Sequence, residues 1–129
     1  MIKDIIIISV IMLFIDFIYL ISVDNYFNKQ IKLIQGSDLV IRNLGWLICY
    51  PFLVLGLYYF VIKNKNKNKN SSIFSLTRDA AILGWVIYMV YESTNYAIFK
   101  KWSITTVLLD GIWGGILFGL TTFLFLLID

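Results

Sequence analysis

The chain has 129 residues and a formal net charge of +3, and 60% of its residues are hydrophobic while only 15% are charged. Soluble domains usually contain about 45–50% apolar and about 25% charged residues, so this composition excludes an ordinary soluble domain and a disordered chain. The single cysteine, Cys49, excludes an intrachain disulfide, and the lack of histidine excludes histidine-based metal sites and general bases.

Four apolar spans follow one another, at about residues 5–23, 44–62, 80–98 and 104–128. A bilayer core about 30 Å thick needs roughly 20 apolar residues in a helix, and helices satisfy their own backbone polar groups in lipid. No small-residue cleavage site follows the first span, which favours a retained helix over a signal peptide. The sequence therefore predicts an all-α polytopic membrane protein, with residues 1–129 forming a single four-transmembrane-helix bundle with short loops.

The segment between the first two spans, residues 24–43, mixes apolar and basic side chains. This mixture predicts a short helix lying in the membrane interface, interrupted at Gly36. Trp46 and Trp102 lie near span ends on this same side, where an aromatic belt is expected.

A basic loop at residues 63–72 contains a strict Lys-Asn alternation and is predicted to be solvated and mobile. It is the densest positive cluster, so the positive-inside rule places it and both termini in the cytoplasm. Its functional interpretation is contact with anionic membrane lipids. No aromatic residue is interleaved with the lysines, which argues against a nucleic-acid partner.

The three charges within the spans are all acidic: Asp16, Glu92 and Asp110. A charge at bilayer depth costs at least about 2.5–3.5 kcal/mol, and such residues usually face the bundle interior and mark function. Counted from span ends on the same side of the membrane, the three carboxyl groups lie about 9–11 Å below one face. Tyr50 falls in the same layer.

Aromatic and amide side chains extend this acidic layer along the same helix faces. No Lys or Arg lies within a span, so we expect at least one carboxyl to be protonated near neutral pH. Polar side chains also hold transmembrane helices together, but three acids at one depth exceed that need. The candidate ligand-binding or proton-titrating residues are Asp16, Tyr19, Tyr50, Tyr88, Tyr91, Glu92, Asn95, Asp110 and Trp113.

A glycine ladder occupies the fourth span: Gly111, Gly115 and Gly119 form a G-x-x-x-G-x-x-x-G pattern, with Gly114 beside it. Small residues at this spacing permit close helix packing. The position of Gly114 favours packing inside the bundle, and contact with a second copy in a homo-oligomer is the alternative.

Two motifs stand out: Asp-Phe-Ile-Tyr-Leu at residues 16–20 and Tyr-Glu-Ser-Thr-Asn-Tyr-Ala at residues 91–97. The first resembles the Asp-x-x-Trp-Leu motif of the four-helix membrane-protein family DUF2177, and the second is similar to its Tyr-Asp-x-Thr-Asn-x-Ala motif. Trp102 and an Asp-Gly-Ile-Trp-Gly sequence at residues 110–114 follow, as in the family. This chain has tyrosine and glutamate where the family usually has tryptophan and aspartate. The resemblance covers nearly the whole chain and implies a four-helix membrane protein without an established activity.

Three functions fit this sequence. The acidic, aromatic layer is suited to binding or moving a lipid-like or cationic small molecule with proton coupling. Two carboxyl groups could alternatively act as general acid and base in a membrane-embedded lipid-modifying enzyme. No metal or cofactor set is recognisable, and Cys49 has no histidine to activate it, so the sequence favours a role without catalysis. A structural or assembly subunit is the third possibility.

Overall fold

The computed structural model of the protein describes residues 1–37, 43–65 and 72–129. A 3₁₀ turn at Ile62–Asn64 follows the second of four helices, and no strand occurs in the described ranges. Four helical stretches are long and apolar enough to cross a bilayer, which confirms the predicted all-α, four-transmembrane-helix architecture. The helices are α1 (Ile2–Gln35), α2 (Asn43–Phe60), α3 (Ile73–Ile98) and α4 (Ile104–Ile128).

Most of the apolar surface faces outward. Only 17–44% of the most apolar window of each helix is buried inside the protein. Such an extent of exposed apolar surface is a liability in water, whereas in a bilayer it faces acyl chains. The helices are therefore placed in a membrane, and the chain is an integral, multipass membrane protein.

The sequence predicts that the first span ends at residue 23, but α1 continues to Gln35. Gly36, whose φ is 79°, caps its carboxyl end. The expected separate interfacial helix is thus the end of α1. Its 34 residues extend about 51 Å, well beyond a bilayer core about 30 Å thick. The helix continues because no glycine or proline precedes Gly36, and because Gln30 bonds to the α3–α4 connection. The Gln30 amide donates to Lys101 O at 2.8 Å and accepts from Thr106 Oγ1 at 2.9 Å.

The third helix begins seven residues earlier than the predicted span. Ser72 caps it by accepting a hydrogen bond from Ser75 N at 3.0 Å. Arg78 and Asp79 then lie within the helix and pair with each other at 3.2 Å. Apolar patterning marks where a helix enters lipid, whereas the cap sets where the helix begins.

Helices α3 and α4 form the closest interface of the bundle. A Cβ added at Gly84 of α3 would lie 2.2 Å from the backbone oxygen of Gly114. The glycine ladder of α4 faces α3: Gly111 lies against Met89, and both Gly115 and Gly119 lie against Ala81, as the positions of added Cβ atoms show. The ladder therefore packs inside the bundle.

Lys65 joins the two ends of the described chain at the face opposite the acidic layer. Its Nζ lies 2.7 Å from Asp129 Oδ2 and 3.2 Å from Asp4 Oδ2, and 4.9 Å from the centre of the Phe125 ring. Burial lowers the pKa of Lys65, but the hydrogen bonds and charges of the two aspartates outweigh it and leave the pKa raised. The predicted solvated loop, residues 63–72, thus has an anchored lysine as its third residue, and its residues 66–71 lie outside the described residues.

Candidate functional site

The three intramembrane acids come from three different helices and are all buried: Asp16 on α1, Glu92 on α3 and Asp110 on α4. The charge of Asp110 acts on both of the other carboxyl groups. The structure thus brings together the acids that the sequence places at one depth, and α2 contributes Tyr50 at the same level.

Asp16 is held by donors from two other helices. Its Oδ1 accepts from Trp113 Nε1 at 2.9 Å, and its Oδ2 accepts from the hydroxyl of Tyr50. Both carboxyl oxygens are therefore occupied, and the residue connects α1 to α4 and to α2.

Asp110 is bonded in the reverse direction between the same two helices. Its Oδ1 accepts from the Tyr19 hydroxyl at 2.9 Å. The rings of Tyr19 and Trp113 stack with centroids 4.2 Å apart and planes 4° from parallel. Each helix supplies one acid and, three residues later, one aromatic donor. Because α1 and α4 run in opposite directions, the two pairs interlock reciprocally.

Glu92 is fully buried and has a different environment. Its Oε1 accepts from Trp102 Nε1 at 2.9 Å. Its Oε2 has no hydrogen-bond donor among the described residues and lies beside the carboxyl group of Asp110. A buried acceptor without a donor costs about 1–3 kcal/mol, more if charged.

Trp102 corrects one prediction. It was expected in an aromatic belt, but it is buried and serves as the donor to Glu92. The belt interpretation follows from depth alone, and depth does not determine the direction in which a side chain points. The side chain of Trp46, assigned to the same belt, lies outside the described part of the structure.

The remaining candidates of α3 occupy distinct positions. Tyr88 packs its ring over Gly114, where an added Cβ would be 2.3–2.5 Å from ring and Cβ carbons. Tyr91 is 58% exposed. Asn95 is buried three residues beyond Glu92, outside both cavities that adjoin the acids, as far as the described residues define them.

Two cavities adjoin the acidic layer, with volumes of about 490 Å³ and 580 Å³, which are typical of ligand sites. We call the first the α2-side cavity and the second the α1-side cavity. No Lys or Arg is among the described residues that line either one. The α2-side cavity is lined by Asp16, Leu20, Gly45, Cys49, Tyr50, Leu53, Ile87, Tyr88, Tyr91 and Asp110. The α1-side cavity is lined by Asp16, Phe17, Tyr19, Leu20, Ile21, Val23, Asp24, Phe27, Ile31, Tyr88, Tyr91, Glu92, Trp102 and Asp110.

Within the described ranges, no three His, Cys, Asp or Glu side chains converge as metal ligands. The surroundings are carboxylates, tyrosine hydroxyls and aromatic faces, which together attract organic cations.

Several residues that build this site have weaker sequence signals. A hydrogen-bond network at the end of α1 joins Tyr26 to Thr106 Oγ1 at 2.8 Å, next to the bonds of Gln30. Tyr26 and Gln30 fall outside the apolar spans, so hydropathy gives no reason to place them in contact with α4. Gly84 has a detectable signal, because Ala80 precedes it by four residues and so repeats the small-residue spacing of α4.

The model of the family described as "Predicted membrane protein (DUF2177)" matches residues 1–127. The match therefore includes all four helices and every candidate site residue. Searches of curated proteins and of solved structures give no match.

Proposed function

The chain belongs to the DUF2177 family of predicted membrane proteins, and we propose that it binds or moves a lipid-like or cationic small molecule at its acidic layer, with binding coupled to protonation. The observation that carries this proposal is the Oε2 of Glu92, which is buried without a hydrogen-bond donor beside the carboxyl group of Asp110, in a cavity without a described basic residue. A positive head group would supply the missing partner.

Coupling to protons follows from charge balance. Two carboxylates side by side in a low-dielectric site repel each other strongly, so the empty site favours a proton between Glu92 and Asp110. A cation that enters replaces this proton, and both carboxyl groups are then ionised. Affinity for a cation should consequently rise with pH, while affinity for a neutral molecule of the same shape should not.

Native mass spectrometry tests this proposal. The protein is released from mild detergent with added dodecyltrimethylammonium, at several pH values, and compared with Glu92→Gln. Retention that increases with pH in the wild type and is lost in the variant supports the proposal. Asp79→Asn is the matched control, because Asp79 is exposed on α3 and lines neither cavity. Equal retention of dodecyltrimethylammonium by wild type and Glu92→Gln at every pH would contradict the proposal.

Movement across the membrane needs a separate measurement. In proteoliposomes with a pH gradient, transport predicts flux of the labelled cation that depends on Glu92 and changes direction with the gradient. Binding without flux would restrict the protein to a binding role.

A lipid-modifying enzyme is the second candidate, favoured by the unequal environments of the acids. Both oxygens of Asp16 accept hydrogen bonds, whereas one oxygen of Glu92 is unpaired. Such asymmetry is suited to a general base and a general acid. Turnover of bilayer lipids in proteoliposomes, abolished by Glu92→Gln, would support this candidate.

A further inference from the structure

The two cavities adjoin each other at the acidic layer, since they share five lining residues. Each also has lining residues of its own, and these differ in chemistry. The shared residues are Asp16, Leu20, Tyr88, Tyr91 and Asp110.

The α1-side cavity is the acidic mouth in the sense that it has two further carboxyl groups, although most of its own lining is apolar. Besides the shared acids it is lined by Glu92 and by Asp24, which follows the apolar span of α1 directly. The cavity continues along the extension of α1 to Ile31, about 22 Å along the helix from Asp16. It therefore runs from the membrane interior towards the water-facing end of α1, and four carboxyl groups accompany it.

The α2-side cavity is the apolar mouth. Its own lining includes Gly45, Cys49, Leu53 and Ile87, which carry no charge. Cys49 is exposed, and it lies at the depth of the acidic layer. At that depth an exposed side chain faces acyl chains, so this mouth opens sideways into lipid.

We infer that the two adjoining cavities open into each other and that their joint occupant is a single-chain cationic amphiphile. Its head group lies in the α1-side cavity against Glu92 and Asp110, and its chain leaves through the α2-side cavity into the bilayer. This inference rests on the proposed function and specifies its ligand. The acids alone would not carry it. The Oε2 of Glu92 adds to them: it is fully buried, has no hydrogen-bond donor among the described residues, and belongs to a residue that lines the acidic mouth beside the carboxyl group of Asp110.

The chain and the head group have separate roles in this arrangement. Bilayer and cavity are about equally apolar, so moving the chain from one to the other contributes little affinity. The charge therefore determines whether the molecule binds, and the chain determines where it leaves the bundle. A test of the inference must locate the chain rather than measure affinity alone.

Photolabelling locates the chain. The full protein is reconstituted in phosphatidylcholine nanodiscs with a trimethylammonium amphiphile that carries a diazirine in its alkyl chain. A neutral alcohol with the same diazirine chain reports background labelling from the bilayer. We expect several-fold enrichment of the cationic probe over the neutral probe within residues 45–53, and loss of this enrichment in Glu92→Gln.

Two glycines of α2 provide a matched pair of variants in which every acid is kept. An added Cβ meets nothing within 4 Å at Gly45 or at Gly56, so a side chain can begin at either position without a clash. Gly45 lines the α2-side cavity and Gly56 lines neither cavity. Gly45→Leu should reduce the labelling within residues 45–53 to that of the neutral probe, whereas Gly56→Leu should leave it unchanged.

The outcomes separate this inference from the proposed function. Enrichment of the cationic probe within residues 27–31 instead would overturn the exit through the α2-side cavity and leave cation binding intact. Enrichment within residues 45–53 that persists in Gly45→Leu would also overturn the placement of the alkyl chain in the α2-side cavity. No enrichment of the cationic probe anywhere in the wild type would overturn both the inference and the proposed function.

Discussion

Replacing Gly84 by alanine tests the closest approach of α3 and α4. The new Cβ would be 2.2 Å from the backbone oxygen of Gly114 and 2.7 Å from two carbons of Phe118, whereas ordinary contacts begin at 3.4 Å. A backbone oxygen has no rotamer to adopt, so the helices must separate by about 1 Å. Overpacking of this kind costs about 1–3 kcal/mol.

Gly56→Ala is the control that isolates this cost. An added Cβ there meets nothing within 4 Å, while the helix-propensity gain of about 0.5–1 kcal/mol applies to both variants. The difference between them is therefore the packing term alone. We expect Gly84→Ala to unfold at lower SDS fraction in mixed micelles, followed by tryptophan fluorescence, with a free energy of unfolding about 1–3 kcal/mol below that of Gly56→Ala. Equal stability of the two variants would refute the α3–α4 geometry.

Three further predictions use other contacts. Trp102→Phe removes the donor to Glu92 and should lower the free energy of unfolding by about 1–3 kcal/mol in the same titration; a negligible change would contradict the buried bond. Gln30→Leu breaks the bonds to Lys101 O and Thr106, so hydrogen exchange in the last turns of α1 should accelerate, and unchanged protection would contradict this anchoring. The raised pKa of Lys65 adds stability that is fully present below its unfolded pKa of about 10.5 and is lost as pH rises through the higher folded pKa. Lys65→Met should remove this loss. Parallel curves of unfolding free energy against pH for the two proteins would contradict this prediction.

Hydropathy and helix geometry were sufficient to predict the depth of the acidic layer. Counting along apolar spans at 1.5 Å per residue brings Asp16, Glu92 and Asp110 to one level, and the structure places their carboxyl groups close enough to interact. The depth of each acid depends on local sequence, because the position of a residue along a membrane helix is set by how its neighbours partition into lipid.

Helix ends and side-chain directions were less accessible from the sequence. The end of α1 depends on Gly36 and on bonds from Gln30 to a connection some seventy residues away. The inward position of Trp102 depends on the buried carboxyl group that needs a donor. Gly36 is a local signal, but the partners of Gln30 and Trp102 lie on other segments, so no local pattern contains that part of the information.

The sequence by itself thus determined the number of helices, their membrane character and the level of the acids, since each follows from the one-dimensional distribution of apolar residues. The tertiary structure alone decided which donor holds which acid. The reciprocal pairs Asp16–Trp113 and Tyr19–Asp110 require a particular register and rotation of antiparallel α1 and α4. That register results from packing among all the helices, and it is this packing that leaves one oxygen of Glu92 unpaired.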